Sequence, residues 1–500
     1  MKSGNALFSI LTPSIEAAIR DSNPWWNEGK WDPYNLPPMR RWIFSTAINR
    51  LRNGLTPAVV LRGPRQVGKT TLMNQMIHSL LESGVDPKSI IKVQFDELPG
   101  FRKTSEPILE IARWFRERIL GENFNKAAHA GRIAYLFFDE VQNLADWAPQ
   151  IKQLVDIHPV RVMLTGSSAL RIEAGRDSLA GRISTLELGP LLLREIGELR
   201  QFGTVEPFLP LNGLQPLSKK EFWLDLRRHG EKNTAFRQQA FAAFSERGAY
   251  PIAQVRHALP WDEIAAHLVE TVIRRAIAHD LRMGAKGQKR DENLLEEVFR
   301  LACRYIGQSP QLSLYLEEIR QALHANIGPQ RIMAYLKFLD GALLIKLIQP
   351  LELRLKKRKG AAKICLCDPI LRAAWLQERV PLSPSLLEQS PHLSDIAGRI
   401  AESVLGYNLA SMAGLQISHF PERPTEPEID FVITLGDQRI PIEVKYRRRI
   451  DFNDTIALRS FIEKAHYNAP FGLLITQNDL SASDDPRIVS LPLSSFLMMR

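Results

Sequence analysis

The chain has 500 residues, ordinary shares of apolar (45%) and charged (24%) side chains, three cysteines and a net charge of +10. That length exceeds one hydrophobic core and implies about three or four domains. Cys303, Cys365 and Cys367 are too few for a disulfide framework and point to packing in a reducing, cytoplasmic setting, while the absence of ~18 consecutive apolar residues excludes a membrane span.

Residues 1–44 are rich in proline and tryptophan and read as an irregular arm packed on the body. From 45 to 200 short apolar runs alternate with helical patterns, predicting a parallel sheet covered by helices on both faces. The strands are expected at 58–61, 90–95, 135–138, 160–164 and 183–188.

Between the first strand and the next helix lies Gly63-Pro64-Arg65-Gln66-Val67-Gly68-Lys69-Thr70-Thr71. Glycines at the ends of such a loop let backbone N–H groups turn inward, and a helix N-terminus adds partial positive charge, so the loop is built to cradle the phosphates of ATP. Lys69 is placed to reach the β- and γ-phosphates and Thr70 to ligate Mg²⁺. The third strand ends in Asp139-Glu140, one carboxylate to hold Mg²⁺ and one to orient or deprotonate the attacking water. The fourth ends in Thr165-Gly166-Ser167-Ser168, where Thr165 is a candidate for the γ-phosphate or the water. Arg182, ahead of the fifth strand, is a further candidate for the site, with Arg171 and Arg176 as competitors.

These motifs, with Leu188-Gly189-Pro190-Leu191, Glu195 and Gly248-Ala249-Tyr250-Pro251, resemble the bacterial and archaeal AAA-type ATPases that carry a C-terminal nuclease-like domain of unknown function. The resemblance covers about residues 20–480. It implies ATP and Mg²⁺ as ligands, assembly into a homo-oligomer, and Arg182 acting on a neighbour's nucleotide. The family's two glycines before Tyr-Pro are Gly248-Ala249 here, which weakens Pro251 as a nucleotide-facing residue. The stretch 201–235 is longer than the family's.

A helical lid is expected over 201–288. Amphipathic segments at 293–306, 312–325 and 329–339, a strand at 343–348 and the basic run Arg354-Leu355-Lys356-Lys357-Arg358-Lys359 predict a winged helix-turn-helix over 289–378. Its third helix, with Arg331 and Lys337, and its wing would meet DNA phosphates without sequence preference. A linker is expected at 379–391. Beyond it, over 392–500, Asp430 opens one strand, and Glu443 and Lys445 alternate on the next, so they share a face; Glu402 lies on an upstream helix. That is the arrangement of the PD-(D/E)XK nuclease fold, in which Asp430, Glu443 and Glu402 would hold Mg²⁺ or Mn²⁺ and Lys445 would position water. The fold class is therefore α/β: a P-loop NTPase sheet with a helical lid, a winged helix and a PD-(D/E)XK-like domain. Function reads as an ATP-hydrolysing protein acting on DNA, against a nucleotide-gated interaction protein with a silent C-terminal domain, or a metal nuclease licensed by ATP.

Overall fold

The computed structural model describes residues 11–34, 36–96, 105–144, 146–167, 179–209, 213–282, 291–324, 327–352, 360–424, 426–480 and 483–500. Five short strands lie where the apolar runs put them: β1 (Ala58–Arg62), β2 (Ile90–Gln94), β3 (Ala134–Asp139), β4 (Val160–Gly166) and β5 (Ile183–Glu187). All pairings are parallel, in the order β2-β3-β4-β1-β5. Every residue of β3 is buried, as expected of a strand covered on both faces. Leu61 pairs with Thr165 and Phe138 with Leu164, so Asp139 and Thr165 reach the same end of the sheet as the phosphate loop.

The arm at 1–44 is packed but not irregular: helices form at Pro13–Asp21 and Trp25–Glu28. Its packing covers the edge strand β2. Asn23 accepts from the Lys92 N–H at 2.7 Å and donates to the Lys92 carbonyl at 2.8 Å, as a neighbouring strand would. The indole N–H groups of Trp25 and Trp26 both donate to the Ile90 carbonyl, at 3.1 and 2.7 Å. An open edge would expose unpaired backbone groups; here side chains close it.

The chain forms two compact units, Met1–Leu188 and Gly189–Arg500. In the second unit the region expected as a lid is anchored on the C-terminal stretch of the chain. Within the helix Lys220–Lys232, Trp223 stacks on Phe496 with ring centres 6.3 Å apart. The buried Arg237 guanidinium holds Asp479 with two N–H···O contacts of 2.8 and 2.6 Å. The Leu209 N–H donates to the Met499 carbonyl at 2.7 Å. The stretch without a recognisable motif is thus a docking element whose partners lie far along the chain.

Three helices, Glu292–Arg304, Leu312–Leu323 and Pro329–Gly341, precede an antiparallel hairpin of β6 (Ile345–Ile348) and β7 (Lys363–Leu366). Arg331 and Lys337 are exposed on the third helix, and the basic run 354–359 lies outside the described residues. The base of the hairpin docks on a second sheet of β8 (Gln416–Phe420), β9 (Ile429–Leu435), β10 (Gln438–Lys445), β11 (Gly472–Thr476) and β12 (Ile488–Pro492). The Leu351 N–H donates to the His419 carbonyl at 2.7 Å, and the His419 N–H to the Gln349 carbonyl at 3.1 Å. The second sheet runs β12-β11-β10-β9-β8, antiparallel from β8 to β10 and parallel from β10 to β12.

Two of the leucines in the stretch expected as a linker are buried. Residues Pro384–Glu388 are helical, Leu382 and Leu387 are buried, and the Ser245 hydroxyl accepts from the Leu382 and Ser383 N–H groups at 2.8 and 2.9 Å. Among the described residues no helix is long and apolar enough to cross a membrane.

Removing the edge-closing amide takes away the side-chain contacts of both Lys92 backbone groups at the edge of β2. Asn23→Ala should lower stability by about 1–3 kcal/mol, read as a lower urea midpoint with an unchanged slope.

Candidate functional site

The loop after β1 turns on two positive φ angles, 63° at Gln66 and 93° at Gly68. Gly63 is required for a different reason: a Cβ there would lie 2.1 Å from the Leu188 carbonyl oxygen, because the Leu188 N–H donates to the Arg62 carbonyl at 2.8 Å and draws the end of β5 against the loop. The helix Lys69–Glu82 starts at the loop's last residues. The buried Lys69 ammonium donates to the loop's own carbonyls, Gly63 at 3.0 Å and Pro64 at 2.8 Å, and sits 4.0 Å from Glu140.

Asp139 at the end of β3 joins the loop to the sheet. Its Oδ2 accepts from the Thr70 hydroxyl at 2.7 Å, and its Oδ1 accepts from the Thr165 hydroxyl at the end of β4. Burial raises the Asp139 carboxyl above its ordinary value; the two hydroxyls and Lys69 work against that rise, and the charge of Glu140 adds to it. Glu140 has a left-handed backbone, φ 53°, and its N–H donates to the Thr165 hydroxyl at 3.1 Å. The side-chain amide of Gln142 donates to Glu140 Oε2, and the Ser167 hydroxyl donates to the same oxygen at 3.3 Å. Burial would raise the Glu140 carboxyl, but Lys69, Gln142, Arg65 and Ser167 outweigh it and hold the group low. Glu140 is therefore an anion at neutral pH, aimed by two donors.

The sequence reading missed two contributors. Arg41, from the arm, donates to the Val67 carbonyl at 2.6 Å, and Gln75, on the helix after the loop, donates to the Pro37 and Met39 carbonyls, both at 2.8 Å. The arm thus braces the loop from outside; nothing in the arm's own residues signalled it. Arg182 is half-exposed and grips Asp156 with two contacts of 2.6 and 3.0 Å. Ser168, Arg171 and Arg176 lie outside the described residues. In the second unit, Asp368 accepts from the Ala249 and Ile370 N–H groups, at 2.6 and 3.0 Å, and Tyr250 is fully buried with its hydroxyl 3.6 Å from Cys367 Sγ. The Gly248–Pro251 turn is thereby fastened to the end of β7.

The C-terminal candidates also converge. Burial and the charge of Asp430 raise the Glu402 carboxyl well above its ordinary value, whereas Lys363 overcomes burial and holds the Asp430 carboxyl low; Asp430 Oδ2 accepts from the Val444 N–H at 2.8 Å. Lys445 Nζ is 2.6 Å from Glu443 Oε1, and Glu443 Oε2 is buried without a hydrogen-bond partner. Burial and the charge of Asp430 push the Glu443 carboxyl up to about 8. A residue absent from the expected set, Lys363, lies among these carboxylates.

Residues 55–197 match the AAA domain family, and residues 397–496 match a domain of unknown function (DUF4143). Uncharacterized proteins of Mycobacterium bovis and Mycobacterium tuberculosis are each 29% identical to this chain over 156 residues, 30% of this chain and 30% of theirs. An uncharacterized protein of Methanocaldococcus jannaschii is 24% identical over 331 residues, 65% of this chain and 64% of its own. The matches thus span less than two thirds of each of these relatives. A Walker-type ATPase of Pyrococcus abyssi aligns with a TM-score of 0.39 at 15% identity, covering 68% of this chain and 99% of that one. The match over residues 55–197 contains the phosphate loop, Asp139, Glu140 and Thr165, and supports an AAA-type P-loop domain there.

Thr165 serves Asp139 and the Glu140 N–H at once. Thr165→Val should cost about 1–3 kcal/mol through the orphaned buried groups, with Thr165→Ser restoring most of it in chemical denaturation.

Proposed function

We propose that this protein binds ATP with Mg²⁺ at residues 63–71, hydrolyses it, and couples the cycle to DNA. The observation that supports the first part best is the Thr70–Asp139 contact of 2.7 Å beside an oriented, ionised Glu140. A hydroxyl and a carboxylate at the mouth of a phosphate loop fit Mg²⁺, which favours oxygen ligands and keeps several waters. Thr70 and Asp139 would hold the ion, which supplies charge neutralisation on the β- and γ-phosphates.

The chain's own groups divide the remaining work. Backbone N–H groups over 65–70 and the start of the helix cradle phosphate oxygens. Lys69 exchanges the Gly63 and Pro64 carbonyls for phosphate oxygens, a stronger, charge-assisted contact. Glu140, aimed by Gln142 and Ser167, orients the attacking water and draws its proton. Thr165 sets the position of Asp139 and of the Glu140 backbone, which places it behind the carboxylates as a positioning residue. Arg182 reaches a neighbouring subunit's nucleotide in a homo-oligomer once it releases Asp156.

DNA as the partner is supported by the net charge of +10, by the exposed Arg331 and Lys337 on the third of three helices, and by Arg354, Lys356, Lys357, Arg358 and Lys359 in the connection between β6 and β7. Such charges contact phosphates in a salt-dependent, sequence-independent way.

Hydrolysis measured with and without duplex DNA tests both parts. Lys69→Ala should abolish nucleotide binding. Glu140→Gln should keep binding but lower turnover by about 10²-fold or more. Reversing the charges at 354–359 should remove DNA stimulation and leave basal hydrolysis intact; equal hydrolysis with and without DNA in the unaltered protein would dismiss the DNA reading.

A further inference from the structure

The C-terminal carboxylates carry charge that nucleotide chemistry does not use, and Lys363 at the start of β7 shows how it is met. Its ammonium is buried, 3.0 Å from Asp430 Oδ1, 3.3 Å from Glu402 Oε2 and 3.6 Å from Glu428 Oε1, with the Phe431 ring centre 5.1 Å away. An ammonium has three N–H donors and no acceptor; Asp430 and Glu402 accept from it, and Glu428 adds an ion pair. The other oxygen of Asp430 accepts from Val444 N–H, while Lys445 pairs Glu443 through Oε1 alone.

A divalent cation shared by Glu402, Asp430 and Glu443 would need their oxygens at about 2.0–2.6 Å. It would compete for the same Asp430 and Glu402 oxygens that hold Lys363, beside a like charge in a buried site. The residues do not fit a metal: among the described residues no group of three or more His, Cys, Asp or Glu side chains is arranged to hold one.

The lysine is fixed in place by the pairing of a strand with a helix. Lys363 and Cys365 are two apart on β7 and share a face, a step of about 6.7 Å. Glu402 and Gly406 are four apart on the helix Ser394–Ala410, a step of about 6.0 Å. Lys363 meets Glu402, and Cys365 closes on Gly406, where a Cβ would stand 2.5 Å from the sulfur. Just beyond Cys365 the Leu366 N–H donates to the Ser403 hydroxyl at 2.9 Å. The ammonium cannot withdraw without lifting the strand from the helix.

We infer that Lys363 is the built-in cation of this carboxylate set, so that the C-terminal domain takes no divalent metal there and does not cut nucleic acid, and that the same contact fastens the β6–β7 hairpin to the C-terminal sheet. The ammonium replaces the ion and joins two parts of the fold.

The test is Mn²⁺ uptake by the full-length, nucleotide-free protein, followed by electron paramagnetic resonance and thermal melting with MnCl₂ as the probe. The unaltered protein should bind no Mn²⁺ that Glu443→Gln removes, and MnCl₂ should leave its melting temperature unchanged. Lys363→Ala should melt several degrees lower, gain one Mn²⁺ per chain, recover stability as MnCl₂ is added, and lose the gain when combined with Glu443→Gln. Mn²⁺ held by the unaltered protein through Glu443, or Glu443-dependent nicking of plasmid DNA, overturns the proposal. So does a folded Lys363→Ala protein that melts as before or gains no Mn²⁺. Should Lys363→Ala not fold, the comparison of the unaltered protein with Glu443→Gln decides alone.

Discussion

The nucleotide site depends on one buried carboxylate. Asp139 ends a strand covered on both faces, so water cannot satisfy it and protein donors must. Thr70 from the loop and Thr165 from β4 supply them, which locks the first turn of the helix Lys69–Glu82 to the ends of two strands. The same Thr165 hydroxyl accepts from the Glu140 N–H and so fixes the left-handed turn that points Glu140 back toward Lys69. Three chain segments are brought to one place by the hydrogen-bond demand of a single side chain.

The second unit follows a parallel rule with the opposite sign of charge. A buried ammonium on an apolar strand is expensive to desolvate unless paired, and breaking such a pair costs about 3–5 kcal/mol. Lys363 gathers Asp430, Glu402 and Glu428 around it. The lowered Asp430 carboxyl, whose burial penalty is overcome first by Lys363, reports the same balance. Arg237 with Asp479 does similar work between the helix Thr234–Arg247 and the segment before β12. Both pairs join stretches far apart in the chain, so the helices expected as a lid and the hairpin expected as a wing are held by the C-terminal sheet and the residues around it.

The five strands of the first sheet, the loop at 63–70 and the carboxylates at 139 and 140 were legible from local pattern. A strand buried on both faces must be a short apolar run, a phosphate loop needs glycine at Gly68, where φ is 93°, and at Gly63, where a Cβ would meet the Leu188 carbonyl, and the acidic pair stands where a strand ends. The three helices before β6 were legible for the same reason, since amphipathic spacing is a property of neighbours. Glu443 and Lys445 showed their shared side through alternation, while Asp430 joins them through the β9–β10 register, in which Ile442 pairs with Phe431.

What pairs with what was decided only in three dimensions. Asn23 closing the edge of β2, Arg41 bracing the loop, and Trp223 stacking on Phe496 join residues whose separations carry no periodic signal. The leucines at 382 and 387 sit between prolines and read as a linker until tertiary contacts bury them. Lys363 is the sharpest case. The sequence shows a lone lysine opening an apolar run, on the same face as Cys365 and Cys367, and that determines that it must find an acceptor. Only the packing of β7 against the helix Ser394–Ala410 and strand β9 determines that the acceptors are Asp430, Glu402 and Glu428.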